Sequence, residues 1–255
     1  MIVEKRVILL NKNWLFSRAE ENGMTAPEYV CLPHSVKLTP ANSSGCRNFQ
    51  GVCKYLKSFF VPHEYKGQKL FLRFEGAMGK SALYINGNEV SRHFCGYTPF
   101  ITDITDNVNY GEENEIAITL DNSDDPLIPP GKPQDGLDFS YDGGLYRSVT
   151  LTVCEPLYIT DPILANEAAG GGIFVWYTDV SESSAAVHIR THIKNEYPEM
   201  KNYSAVIALI SPDGQRAAES KLNSRLNTGC CEYIETELKA VSYTHLRAHE
   251  TKANL

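Results

Sequence analysis

The chain has 255 residues, 42% of them hydrophobic and 22% charged, with a formal net charge of -7. That is an ordinary globular composition, long enough to bury a core without disulfides or metals. The acidic balance, with no basic block to offset it, argues against nucleic acid or an anionic membrane as a partner. No apolar run approaches a membrane span, and Val7 to Leu10 is too short for the core of a secretion signal. The seven cysteines (Cys31, Cys46, Cys53, Cys95, Cys154, Cys230 and Cys231) are odd in number and irregularly spaced, with no CxxC pair. Free thiols in a reducing bacterial cytoplasm are the expectation, with no metal and no cofactor.

Strand signals dominate in chain order. Lys69 to Glu75, Ser81 to Ile85 and Glu115 to Leu120 alternate apolar and polar residues, the period of a half-buried strand. Asn86-Gly87 lies between two such runs, and both residues tolerate positive φ, so a tight hairpin is expected there. Tyr97, Pro99 and Phe100 are expected to pack a long loop against the sheets. Leu145, Val149 and Leu151 read as one strand with Arg147 set among them. A boundary falls near Cys154 to Pro162. Beyond it, Gly170-Gly171-Gly172 punctuates the chain before strand-like runs at Ile173 to Thr178, Ala185 to Lys194, Tyr203 to Ile210 and Cys231 to Leu238. Pro212-Asp213-Gly214 marks a turn after the third of these. No segment carries a long helical apolar stripe.

The class is therefore all-β. Residues 1–155 suit a jelly-roll sandwich of the galactose-binding-like kind. Residues 156–240 show only four or five of the roughly seven strands of an immunoglobulin-like β-sandwich, so the second domain reads as incomplete. Residues 241–255 stand apart. Val241 to Thr251 reads VSYTHLRAHET, which breaks the strand pattern and looks like the translation of a sequencing-library adapter. On that reading the native sequence stops near Ala240, and the tail is set aside from the fold; the alternative is a genuine polar tail.

The segment from Asp121 to Arg147 differs from the rest. It is long, polar and rich in Pro and Gly, and loops of this length in compact domains are functional or disordered. Four prolines, Pro126, Pro129, Pro130 and Pro133, stiffen it. It carries Asp138 beside Leu137, Phe139 and Tyr141. A carboxylate next to aromatic rings is a pairing that suits a sugar, because its oxygens accept hydrogen bonds from hydroxyls while a ring covers the apolar C–H face of a pyranose. A loop aspartate capping its own turn is the simpler alternative. Asp142 is a weaker candidate and reads as a solvated residue. His34 and His93 have no paired acid at a fixed spacing and read as structural.

Several pieces, taken together and in order, resemble glycoside hydrolase family 2, the family of β-galactosidases and β-glucuronidases. They are Asn13-Trp14 with Phe16, Leu32-Pro33-His34, Phe59-Phe60-Val61-Pro62, Phe74-Glu75-Gly76-Ala77 and Leu83-Tyr84-Ile85-Asn86-Gly87. Gly96-Tyr97-Thr98-Pro99-Phe100 with Asp103-Ile104-Thr105, Pro129-Pro130-Gly131, and Asp138 to Arg147 (DFSYDGGLYR) with Val149 complete the series. Residues from about 156 to 240 resemble, more loosely, the family's second domain.

The resemblance implies that Asp138, nine residues before Arg147 (147 − 138) as in the family pattern, reaches sugar hydroxyls in the pocket of a catalytic barrel. Asn42 is a further substrate-binding candidate, and Arg147 is expected to hold the loop through a carboxylate bridge. Family members hydrolyse with retention, using two carboxyl groups about 5–5.5 Å apart at strand ends of a TIM barrel. That barrel needs roughly 250 further residues, and this chain shows no βαβ alternation. The family's acid lies in an Asn-Glu pair. Asn114-Glu115 and Asn195-Glu196 have the dipeptide but sit at turns, so no catalytic residue is expected in this chain. The implied partners are a β-galactoside or related glycoside and the missing barrel domain, with homo-oligomers found among family members. The loop text looks more like β-galactosidases than β-glucuronidases. A stand-alone carbohydrate-binding module is the competing reading, and a purely structural adaptor a third.

Overall fold

The computed structural model describes residues 5–37, 48–137, 139, 141–168 and 170–241. The chain divides into two units at Val153 and Cys154. The first carries strands β1 (Arg6–Leu9), β2 (Trp14–Glu20), β3 (Gly23–Met24), β4 (Glu28–Val30), β5 (Val52–Val61) and β6 (Lys69–Phe74). It continues with β7 (Lys80–Ile85), β8 (Asn88–Phe94), β9 (Phe100–Asp103), β10 (Glu112–Asp121) and β11 (Val149–Cys154). One sheet has the order β1-β11-β6-β9. The other runs β3-β2-β5-β10-β7-β8, with β4 also paired to β2.

Alternation explains why these segments are strands. Along β7, Ser81, Leu83 and Ile85 point inward while Lys80, Ala82 and Tyr84 are partly exposed; on β10, Ile116, Ile118 and Leu120 do the same. Aromatic rings dominate the interior. Trp14, Phe16, Tyr55 and Phe74 are almost wholly buried, and Phe74 stacks on Phe100 at 4.8 Å. The Trp14 indole N–H donates to the Leu10 carbonyl at 2.6 Å, so its burial leaves no polar atom unpaired.

The Asn86-Gly87 hairpin forms as expected, with φ of 50° and 82°. The Asn86 amide also donates to the Asn107 carbonyl (3.0 Å) and to Asn114 Oδ1 (2.8 Å), and its oxygen accepts the Glu115 N–H (2.9 Å). The turn residue thus ties its hairpin to the loop before β10. Leu145 and Arg147 are a correction: the strand begins only at Val149. The carbonyls of Gly143 and Leu145 are taken by the N–H groups of Val36 (3.1 Å) and His34 (2.8 Å), which holds this stretch as a loop outside either sheet.

The second unit contains β12 (Leu157–Ile159), a one-turn helix α1 (Pro162–Ala165), β13 (Ile173–Thr178), β14 (Ser184–Asn195), β15 (Lys201–Ile210), β16 (Arg216–Leu226) and β17 (Cys231–Val241). Asp161 caps α1 by accepting the N–H groups of Ile163 and Leu164. β14 is central. It pairs with β17 along one edge, while β12 and β13 share the other edge at successive positions. β15 and β16 form a separate hairpin around Pro212-Asp213-Gly214. β16 was not expected from the sequence. Its text, RAAESKLNSRL, buries only Leu226 fully. The core here is aliphatic: Leu157, Val187, Ile189, Ile193, Ala205, Ile207, Leu226, Ile234 and Leu238.

Among the described residues, Cys31, Cys53, Cys95, Cys154, Cys230 and Cys231 are free thiols, and no helix is long and apolar enough to cross a membrane. Cys46 and residues 242–255 lie outside the described residues.

Candidate functional site

The connection from β10 to β11 is the longest loop of the first unit, and both of its ends are fastened to the sandwich. At its start, Asn122 is buried. Its amide donates to the Phe49 carbonyl (2.7 Å), and its oxygen accepts the Gly51 N–H (2.9 Å). Asp125 pairs with Lys80 of β7 at 2.7 Å and also accepts the Leu127 N–H at 2.9 Å. Both bonds favour the ionised carboxyl and hold Asp125 below the ordinary aspartate range, the lysine being the larger cause. The chain then turns through Ile128 and Gly131 and a short 3₁₀ segment, Gln134–Gly136.

At the far end, the Tyr141 carbonyl accepts from the Asn48 amide, and Asp142 accepts from the Ser35 hydroxyl at 3.0 Å. Tyr55, on β5, is the hub. Its hydroxyl accepts the Leu145 N–H at 3.3 Å and lies 2.8 Å from His34 Nδ1. Burial lowers the pKa of His34, with Glu28 opposing, so the neutral ring is favoured and Nδ1 can accept the phenol proton. Burial likewise pushes the Tyr55 phenol well above its ordinary pKa.

The Gly143-Gly144 pair has a steric reason. A Cβ on Gly144, whose φ is 101°, would lie 2.4 Å from the Tyr55 hydroxyl; one on Gly143 would lie 2.7 Å from the Asn122 amide. The two ends of the loop therefore meet at a neck too close for side chains. Just beyond it, Tyr146 donates to the Gly96 carbonyl at 2.5 Å.

Between these anchors the loop turns outward. Leu127 is 87% exposed and Phe139 51% exposed, and Tyr97 nearby is also exposed. Leu137 is partly covered and Tyr141 buried, so of the rings flanking Asp138 it is Phe139 that faces solvent. Asp138 and Asn42, the two substrate-binding candidates, lie outside the described residues.

Among the described residues, the Arg147 guanidinium donates to the Glu75 carbonyl at 3.4 Å and lies 5.3 Å from the Tyr146 ring centroid. The Glu75 carboxylate is already engaged by Arg73 at 2.6 Å. Asp142 is not simply solvated, since Ser35 fastens it to the scaffold. His34 and His93 are structural, His93 lying against Thr98 (3.1 Å) and stacked on Phe100 at 4.8 Å.

The Asn-Glu dipeptides are tied to neighbouring backbone, and Asn114-Glu115 lies inside β10 rather than at a turn. Buried Asn114 donates to the Asn109 and Glu112 carbonyls, and buried Asn195 to the Glu199 and Leu226 carbonyls. Glu196 accepts from Tyr158 at 2.9 Å and pairs with Lys194 at 2.7 Å. The fasteners Tyr55, Asn48 and Asn122 were not read from the sequence. The bonds with which they close the loop span 71 to 93 residues, beyond any local pattern.

A two-sheet β-sandwich that holds a long outward loop by both ends has the makings of a binding domain. Residues 3–156 match the sugar binding domain of glycosyl hydrolases family 2, and the chain belongs to that family. A β-glucuronidase of Formosa agariphila is 33% identical over 79% of this chain and 22% of its own length; a β-galactosidase of Thermoanaerobacter pseudethanolicus is 32% identical over 80% and 25%. Among solved structures, a family 2 β-glucuronidase superposes with a TM-score of 0.79 at 26% identity, covering 93% of this chain and 27% of that one. The chain thus spans about a quarter of the length of the curated relatives it matches.

Proposed function

We propose that this chain is the amino-terminal, non-catalytic part of a retaining exo-β-glycosidase, foremost a β-galactosidase, and that its β10–β11 loop contributes to the sugar pocket of a barrel domain the chain does not contain. The observation that carries the proposal is the double anchoring of the loop. A segment held at a tight neck by Tyr55, Asn48 and Asn122, with its middle turned to solvent, is built to present side chains outward. In this reading Asp138 accepts hydrogen bonds from sugar hydroxyls, exposed Phe139 offers a ring beside it, and Asn42 is a second polar contact. Free thiols throughout the described residues suit a cytoplasmic enzyme.

Catalysis then resides elsewhere, because a retaining mechanism needs two carboxyl groups facing each other across the glycosidic bond. Purified chain is expected not to hydrolyse a chromogenic β-galactoside, with Asp138→Ala as the control for contaminants. In an enzyme carrying this chain joined to its barrel, Asp138→Asn should lower kcat/KM by about 10- to 100-fold at unchanged melting temperature, as expected for losing a charged hydrogen bond to substrate. Normal kinetics in that variant would remove Asp138 from the pocket. A lower melting temperature with normal kinetics would return it to the role of a turn cap.

A further inference from the structure

The outer face of the β13–β14–β17 sheet departs from what an exposed sheet face should be. Such a face is ordinarily polar. Here the register sets Phe174, Arg190 and Glu235 in one row across the three strands and Trp176, His188 and Glu237 in the next. Phe174 is 54% exposed, and its ring lies 5.7 Å from that of Trp176 at an angle of 36°. The rings are held in place. His188 stacks on Trp176 at 5.1 Å and 9°, and is itself fixed by Thr178 Oγ1 at 2.7 Å. Arg190 lies over Trp176 (5.6 Å) and over Tyr233 (5.8 Å), and its Nε donates to Glu235 at 2.6 Å.

We propose that this face is a binding platform for a neutral hexopyranoside, separate from the β10–β11 loop and not dependent on the role proposed for that loop. The exposed Phe174 ring, braced against the partly buried Trp176, supplies a fixed apolar surface for the C–H face of a sugar ring. Arg190 and Glu235 stand beside them in a row. A guanidinium has five N–H donors, and a carboxylate has acceptor sites that one ion pair does not fill. Donors and acceptors next to a preorganised ring face are what a pyranose requires, its hydroxyls lying around the rim of an apolar face.

Charge bears on the choice of sugar. Arg190 is already paired with Glu235 at 2.6 Å, Glu237 stands in the next row, and Lys239 lies one row further on, so a uronate finds no uncommitted arginine beside the rings and meets carboxylates there, unlike a neutral hexose. Charge also argues against a protein lid. Burying these partly exposed ions under a flat partner would desolvate them, whereas interface centres are depleted of charge.

The chain has two tryptophans, and Trp14 is fully buried in the other unit, so a ligand-induced change in emission reports on Trp176. Titrating the whole chain with methyl β-galactopyranoside should give a saturable change with a midpoint in the millimolar range. The corresponding methyl β-glucuronide should bind about threefold or more weakly. Phe174→Ala should raise the galactoside midpoint about fivefold or more at an unchanged far-UV spectrum. Glu235→Gln, which keeps shape and one acceptor, should also raise the midpoint, though by less, and serves as the test should Phe174→Ala disturb the fold. A signal that does not saturate, or that survives both platform variants, overturns the proposal. So does an emission shift that follows protein concentration without sugar, which would assign the face to a second copy of the chain.

Discussion

The two units fill their cores with different side chains. In the first, Trp14, Phe16, Tyr55, Phe59, Phe74 and Phe100 fill the space between its sheets, while Tyr29, Phe60 and Phe94 stay exposed. The second buries Leu, Val, Ile and Ala and leaves Phe174, Tyr177 and Tyr233 exposed. Large rings inside give many dispersion contacts and a large buried area per residue, which makes a stiff scaffold. That suits a unit whose task is to hold a loop in place. The second unit, with its β15–β16 layer only two strands wide, has less to hold it together.

The sharpest test of that contrast is deletion of the central ring. Trp14→Ala should destabilise the first unit by about 3–5 kcal/mol, from lost transfer free energy plus the cavity left behind. Ile189→Ala in the second unit should cost about 2–4 kcal/mol, on the lower stability that a smaller core provides. In urea the two variants should shift different transitions, and a single transition moved equally by both would show that the units do not unfold separately. Limited proteolysis extends the comparison. Cleavage should begin in the second unit and leave a resistant fragment ending near residue 155, while equal hydrogen-exchange protection in both units would contradict it.

The loop anchors give a smaller effect. Tyr55→Phe keeps the ring but leaves the Leu145 N–H and His34 Nδ1 without their partner. It should cost about 1–3 kcal/mol and speed exchange at the loop neck before anywhere else. A uniform loss of protection across the first unit would mean that Tyr55 acts through packing alone.

Acid gives the mildest perturbation. Burial depresses the pKa of both His34 and His93 in the folded chain. Below pH 6.5 the unfolded state therefore takes up protons that the folded state resists, and stability is lost as pH falls from about 6.5 through the folded values. The first unit's melting temperature should decline modestly between pH 7 and 5, and His34→Gln should flatten part of that slope.

Much of the sandwich was legible because its strands are two-faced. Lys69–Phe74, Lys80–Ile85 and Glu112–Asp121 alternate because one side meets the core, and Asn86-Gly87 announces its own turn. β16 was missed because it packs only partly, through Ala218, Leu222 and Leu226, so its sequence carries little apolar signal. The long loop stood out by composition. The fasteners did not stand out, since nothing around Tyr55 distinguishes a hydroxyl that meets residue 145 from one that meets water. The partner of Arg147 was hard to read for a related reason: which group an arginine takes depends on what has already claimed a nearby carboxylate, here Arg73 on Glu75.

The closed neck at Gly143 and Gly144 has an evolutionary consequence. The bonds that join the two ends of the loop to the sandwich come from residues outside its middle: Asn48, Tyr55, Asn122 and the backbone of His34 and Val36. The span between Pro126 and Phe139 adds no fully buried side chain to the core among its described residues. Substitutions and insertions there are therefore nearly uncoupled from folding. A scaffold of this kind can exchange what it presents without having to evolve a new way of standing up.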